Sequence, residues 1–394
     1  MLPFFLFIKM HNNFVSIYKN HIAIIGAGIS GLTLGIVLKK EKIPCVIFEK
    51  FSSISEYGAG ISISRNGQKV LKELKVLDEL KLVSGNPKKA NFIYANNEIT
   101  SLDIDHITTS RKALHKVLLE KYLSANGEIN FNFELADIDI NNKLLSFSNN
   151  KNFNVEHIAS CDGIKSICRK SVLENKSKPS YSGYSVWRSI VNEKQNEVEF
   201  HLGPGFHVVT YPINSSKTSF VAAFKTHKAS KESWKSKGSF DDLQSLLPKY
   251  ILEKYSSLKN NDELYKWGVY TREDVNTLYM KNITFLGDAA HPIVPFMGQG
   301  GCLALEDGYI FGNLIAKSKN DIKRSQLLYK DLRLNRVKKI HRESLNQGRL
   351  NHLKNPVLIF LRNLFMKYTN IINNLTKSIW NYDSKKEVDK ITLS

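Results

Sequence analysis

Apolar and polar positions change period several times along the chain. Residues 21–50 read as strand, helix, strand: "HIAIIG", an apolar-periodic stretch to about Glu41, then "PCVIFEK", with Pro44 opening the second strand. The helical period returns over 67–82 and 111–124. From about 128 to 159 the residue types alternate in short runs ("EINFNFELADIDI", "KLLSFSNN", "FNVEHIAS"), which predicts antiparallel strands. Four more strands are expected over 184–224 ("YSVWRSIV", "NEVEFHLG", "FHVVTYPI", "TSFVAAFK"), then a helix near 240–255 and a strand at 282–286. Beyond that the pattern is helical almost to the end. A strand-rich middle between two α/β ends predicts interleaved lobes, one holding a nucleotide and the other covering it.

Composition alters this picture little. The 394 residues suffice for two lobes, and 42% hydrophobic with 24% charged residues is ordinary for a globular protein. The formal charge of +19 comes from scattered lysines ("LKKEK", "NPKKA", "KESWKSKGS", "DSKKEVDK"), which read as solvated faces and not as a nucleic-acid site. Attraction of anionic substrates or lipid headgroups stays open. Cys45, Cys161, Cys168 and Cys302 lack CxxC spacing, and free thiols suit a reducing, cytoplasmic setting. His106, His115 and His157 are isolated, so no metal site is expected. The apolar run at residues 2–8 is too short to span a bilayer; with Met10 as the true start, residues 1–9 would lie outside the native protein. The stretch "NPVLIFLRNLFMKYTNIINNLTKSIW" reads as an amphipathic helix, packed on the body or in weak contact with a membrane.

Gly26, Gly28 and Gly31 form GxGxxG after a strand and at a helix start. The first suits a tight turn, the second a close approach of pyrophosphate to the backbone, the third close packing of helix on strand. Ile29 and Ser30 open that helix, whose N-terminus favours phosphate. Glu49 ends the second strand, where a carboxylate accepts from a ribose hydroxyl, and Lys50 follows it. "NITFLGDAAHPIVPFMGQGG" then places Asp288 at a strand end, suited to a ribityl hydroxyl, and Gly298, Gly300 and Gly301 at a helix mouth. Donors there stabilise the negative charge of a reduced flavin. The two segments together point to FAD. His291, beside Pro292, reads as structural. Glu306 and Asp307 are consecutive on a helix, about 100° apart, and do not form a catalytic carboxylate pair.

These motifs, with "CDGIKSICR" at 161–169, make the chain resemble the group A flavoprotein monooxygenases of p-hydroxybenzoate hydroxylase-like fold, nearest the salicylate hydroxylase branch. Segments 58–64, around Arg111, 181–191 and 379–383 are also similar. Cys161 stands where Ala is usual, and Arg65 where Pro is common. The resemblance implies an α/β fold: a Rossmann-type FAD-binding domain (21–85, 105–180, 268–345) interleaved with a β-sheet substrate domain (86–104, 181–267), and a helical C-terminus (346–394). It implies that NADH or NADPH reduces FAD, and that O₂ then forms a C4a-hydroperoxyflavin that hydroxylates a small aromatic or phenolic acid. Another ring substrate (a ubiquinone precursor, polyketide or heterocycle) and a reductase or halogenase on the same fold remain open, as do monomer and homodimer.

The same resemblance assigns Gly60, Arg111 and Asp162 to the cofactor. In "FHVVTYP" it assigns His207 as proton acceptor and Tyr211 as its orienting hydrogen-bond partner, on one strand face. Arg188 either attracts a carboxylated substrate or nicotinamide nucleotide, or braces the lobes.

Overall fold

The computed structural model describes residues 16–53, 60–173, 178–226, 236–272 and 275–392. The apolar run at 2–8 and the start of the 58–64 segment lie outside the described residues. Strand Ile22–Ile25 pairs in parallel with Cys45–Glu49 on one side and His157–Ser160 on the other. Ile129–Phe131 and Ile283–Phe285 extend this sheet in parallel, and Tyr279–Met280 closes one edge antiparallel. The inner strands are buried along nearly their whole length, which is why they read as unbroken apolar runs.

The segment 128–159 therefore divides differently from its alternation. Leu135–Asp139, Leu144–Phe147 and Asn152–Asn154 form the expected antiparallel sheet. The strands at either end join the parallel sheet instead, because runs of three or four residues carry no mark of strand direction. The helix expected over 67–82 is two, Arg65–Glu73 and Leu77–Leu82, broken where Lys75 takes φ +58°. The helix expected near 240–255 is also two, Phe240–Gln244 and Lys249–Lys254, with Pro248 heading the second.

A second sheet of seven strands runs in the order Tyr265–Thr271, Ser180–Val191, Thr218–Lys225, Phe206–Pro212, Val198–Gly203, Lys89–Tyr94, Asn97–Asp103. Only the Val198–Gly203 and Lys89–Tyr94 pair is parallel. Its faces separate by alternation: Phe206, Val208 and Trp187 pack under Leu243 and Ile251, while His207, Val209, Tyr211, Val186 and Arg188 face a cavity shared with the first sheet's lobe. Helix Gly300–Lys317 crosses helix Ile29–Lys40 closely at Gly308, where a side chain would meet the Ser30 carbonyl oxygen at 2.6 Å. The chain ends in helices Ile322–Asn351, Pro356–Tyr368, Ile371–Trp380 and Ser384–Asp389. Among the described residues no helix is long and apolar enough to cross a membrane.

Candidate active site

Between the two sheets lies a cavity of about 430 Å³, within the usual range for ligand sites. One end is built from the glycine turn. Gly26 leaves the first strand at φ +102°, and Gly31 presses on its carbonyl so closely that a side chain would come within 2.0 Å. These two glycines shape the turn. Gly28, Ile29 and Ser30 line the cavity, and Gly28 has open space where a side chain would project. Helix Ile29–Lys40 starts there without a side-chain cap, leaving its first N–H groups for an anion.

Glu49 and Lys50 do not line the cavity. The Glu49 carboxylate accepts the Ala27 N–H at 2.8 Å and the Phe51 N–H at 3.1 Å, so it buttresses the glycine turn with lone pairs to spare for a ribose hydroxyl. The Lys50 ammonium lies 5.0 Å from the Phe51 ring centroid, on the surface. Asp162 likewise does not line the cavity; its carboxylate accepts from Ser160 Oγ at 2.6 Å and the Cys168 N–H at 3.1 Å, bracing the loop from within. Its neighbours Gly163, at φ +74° with open space beside it, and Ile164 line the cavity in its place.

At the middle of the cavity, Asp288 follows strand Ile283–Phe285 and opens its carboxyl to the cavity from deep in the protein. Burial raises its pKa, against the pull of Arg111. Arg111 opens helix Arg111–Ser124, capped by Ser110, and lines the same wall as Gly60. Beyond Asp288 come Gly298, at φ +62°, then Gly300 and Gly301; Gly298 and Gly300 both border open space. Helix Gly300–Lys317 also lacks a side-chain cap, because the Gln299 amide is turned to Ser64 Oγ (3.0 Å) and Asn66 (3.0 Å).

A buried polar network holds this second loop. Asp307 accepts the Gly287 N–H at 2.8 Å and bonds His291 at 2.6 Å. Arg333 ties Asp307 (2.8 Å) to Glu306 (2.6 Å), and Arg336 grips Glu306 through two bonds. Burial alone would raise the Asp307 carboxyl, but His291 and Arg333 hold it down to about 2. The adjacent acids share this clamp, and His291 is bonded into it. Arg333 and Arg336 escaped the sequence reading because nothing in their own segment marks them as buried.

The other end of the cavity is apolar: Phe92, Phe200, Val209, Val221 and Trp267, with Ile372 and Trp380 from the C-terminal helices. Arg188 is half-buried on this wall, 5.3 Å from the Trp267 ring centroid, and desolvation lowers its pKa to about 10. His207 and Tyr211 share the cavity face, as alternation predicts, yet four residues of strand separate them by roughly 13 Å. The expected His207–Tyr211 bond is therefore corrected: His207 Nδ1 lies 3.2 Å from Nε2 of His352. Burial, then His352, lowers the His207 pKa well below the ordinary histidine value. His352 Nδ1 is 2.6 Å from the Gly348 carbonyl oxygen, and its Nε2 is 3.2 Å from that of Ala223.

Two uncapped helix N-termini, glycines bordering open space and an inward carboxyl thus line one cavity. This cradle fits FAD, a pyrophosphate at one end and a polyol and flavin ring at the other. Among the described residues no cluster of His, Cys, Asp and Glu could hold a metal ion.

Comparison with known proteins agrees. The family profile described as FAD binding domain matches residues 19–344. The chain is 25% identical over 359 residues to 3-amino-4-hydroxybenzoate 2-monooxygenase PtnB3 of Streptomyces platensis, covering 86% of this chain and 90% of that one. It is 27% identical over 369 residues to 3-hydroxybenzoate 6-hydroxylase of Klebsiella oxytoca, covering 84% and 88%. Its fold is similar to Klebsiella pneumoniae HpxO complexed with FAD and uric acid, at TM-score 0.79 and 21% identity over 92% of this chain and 97% of that one. A salicylate hydroxylase substrate complex gives TM-score 0.77 at 20% identity, covering 95% and 99%.

Proposed function

Because the chain belongs to the FAD binding domain family and is an FAD-dependent monooxygenase, we propose that it hydroxylates a small phenolic acid with NADH or NADPH and O₂. One observation carries the reading. The same cavity runs from two anion-seeking helix ends to an apolar, ring-sized chamber that Arg188 and His207 line, with His106 against Trp380 at its edge. FAD, when bound, supplies the reduction of O₂ and the electrophilic oxygen.

The chain's own residues then have separable tasks. The N–H groups of helix Ile29–Lys40 hold the pyrophosphate, Asp288 takes a ribityl hydroxyl, and the start of helix Gly300–Lys317 stabilises negative charge on the ring. Phe92, Phe200 and Trp267 flank the substrate ring and exclude water, which strengthens every polar contact inside. Arg188 balances the substrate carboxylate.

His207 takes the phenolic proton, and His352 makes that feasible. Of the two carbonyl oxygens beside His352, that of Gly348 is nearer (2.6 against 3.2 Å), so the one proton of the neutral ring sits on Nδ1 and Nε2 has the lone pair. His207 then donates from Nδ1 to that lone pair and keeps Nε2 as a proton acceptor. Buried alone, His207 is a weak base. Burial lowers the His352 pKa too, but the Gly348 and Ala223 carbonyl oxygens oppose that shift, so a proton passed from His207 Nδ1 to His352 meets two acceptors. General-base assistance of this kind is worth about 10²–10⁴-fold.

Four buried free thiols suit the cytoplasm. The test is a panel of phenolic acids scored by stimulated NAD(P)H oxidation, O₂ uptake and product mass. A product heavier by one oxygen is expected with a carboxylated phenol; preference for the decarboxylated analogues would refute the role of Arg188.

A further inference from the structure

We propose that helix Pro356–Tyr368 docks the protein on the surface of an anionic phospholipid bilayer. The helix is amphipathic in the inverted sense. Val357, Leu358, Phe360, Leu361, Leu364, Phe365 and Tyr368 all face outward, with Phe360 64%, Phe365 58% and Tyr368 70% exposed. At 100° per residue they form one stripe. The buried side holds Ile359 and the charged Arg362.

That orientation is fixed by polar bonds. Arg362 Nη1 donates to the Leu350 carbonyl oxygen at 3.2 Å, and its Nη2 donates to Asn363 Oδ1 at 2.9 Å. Asn355 caps the helix start by accepting the Val357 and Leu358 N–H groups. Turning the apolar face inward would break the Arg362–Leu350 bond and leave Arg362 to be resolvated.

Charge decides the occupant. Residues 344–382 contain no Asp or Glu, while Arg349, Lys354, Lys367 and Lys377 are exposed around the stripe. The acids at its sequence borders are engaged, Glu343 with Arg342 at 3.2 Å and Asp383 with Lys69 at 3.4 Å, while the neighbouring strand Asn97–Asp103 brings exposed Glu98 and Asp103 to the helix's strand side. A second copy docked by twofold symmetry on this stripe would set Arg349, Lys354, Lys367 and Lys377 of one copy near the same cations of the other. Anionic headgroups around a shallowly inserted apolar stripe satisfy both features. Since no described helix can cross a membrane, the contact is interfacial.

The following helix, Ile371–Trp380, exposes Leu375 and sends Ile372, Thr376 and Trp380 into the active-site cavity. Bilayer and cavity would therefore be about one helix diameter, roughly 10 Å, apart. A ring compound dissolved in lipid would have a short way to travel.

The test uses the full-length, flavin-loaded protein. It is sedimented with vesicles of phosphatidylcholine alone or mixed with phosphatidylglycerol. Binding to the mixed vesicles should be at least about tenfold tighter and should weaken as salt is raised. It should be lost on combining Phe360→Glu with Phe365→Glu at unchanged flavin content; if that variant sheds flavin, Val357→Ser with Tyr368→Ser takes its place. Absence of binding, or equal binding by the variant that keeps its flavin, overturns the proposal. So does a lipid-free dimer that the same variant dissociates, which would make a second copy the occupant.

Discussion

His207 and His352 meet from positions 145 residues apart, and in the proposed mechanism the second assists the first as base. Removing the His207 ring should lower the turnover of a phenolic substrate by about 10²–10⁴-fold with flavin retained. His352→Ala leaves the ring but orphans its Nδ1–H. We expect a smaller loss in kcat, little change in KM, and a rate that climbs with pH as the substrate ionises unaided. His352→Gln, whose amide oxygen can accept the same bond, should restore part of the rate and flatten that climb. A purely structural His352 would move KM and stability together and leave the pH profile alone. The cavity-facing position of His207 was legible from a strand's period of two, while its role as base came from the family resemblance. His352 was not legible, since it follows a long helix whose docking against a distant strand leaves no local pattern. Tyr211 was misjudged for a related reason: sharing a face is a matter of parity, whereas hydrogen bonding needs adjacency.

Between elements, the contact of helices Ile29–Lys40 and Gly300–Lys317 links the two ends of the cofactor cradle. Gly308 makes the close crossing possible. A methyl group there would meet the Ser30 carbonyl oxygen at 2.6 Å and the Leu34 nitrogen at 2.8 Å, both backbone atoms that cannot swing aside. Gly308→Ala should thus destabilise by about 1–3 kcal/mol and widen the spacing of the two helix N-termini. Thermal unfolding and the flavin-to-protein ratio measure the two effects, and a variant that is less stable yet fully flavinated would separate packing from cofactor grip. The sequence marks each of these helices by its apolar run. It does not mark their mutual contact, because a helix apolar on all sides shows no preferred face; ten consecutive residues of the first, Ile29 to Leu38, are buried. The short strands Ile129–Phe131 and His157–Ser160 pose the same problem in direction. Long alternating strands such as Phe206–Pro212 were readable throughout, since their two faces meet different neighbours.

Across the whole molecule, neutral histidines are distributed so that acid strikes several joints together. His157, inside the parallel sheet beside Thr284, has its pKa lowered to about 3 by burial. His106, against Ser62 and the edge of Trp380, is lowered to about 4, again chiefly by burial. His207, His341 and His352 are lowered for the same first reason. In each case the unfolded chain binds a proton that the native state refuses. Stability is complete above the ordinary value of 6.5 and declines as pH falls from there toward each folded value. At pH 5 His106 and His157 alone account for about 2 kcal/mol each, against a usual total of about 5–15 kcal/mol. Protonation also adds to a formal charge of +19 spread over the chain, so self-repulsion grows in the same window. Salt separates the two contributions, because it screens surface repulsion and leaves the cost of charging a buried ring. Urea midpoints should fall steadily from pH 7 to pH 5, with added salt recovering only part of the loss. Full recovery would assign the effect to surface charge, and an unchanged midpoint would mean these rings take up protons without unfolding.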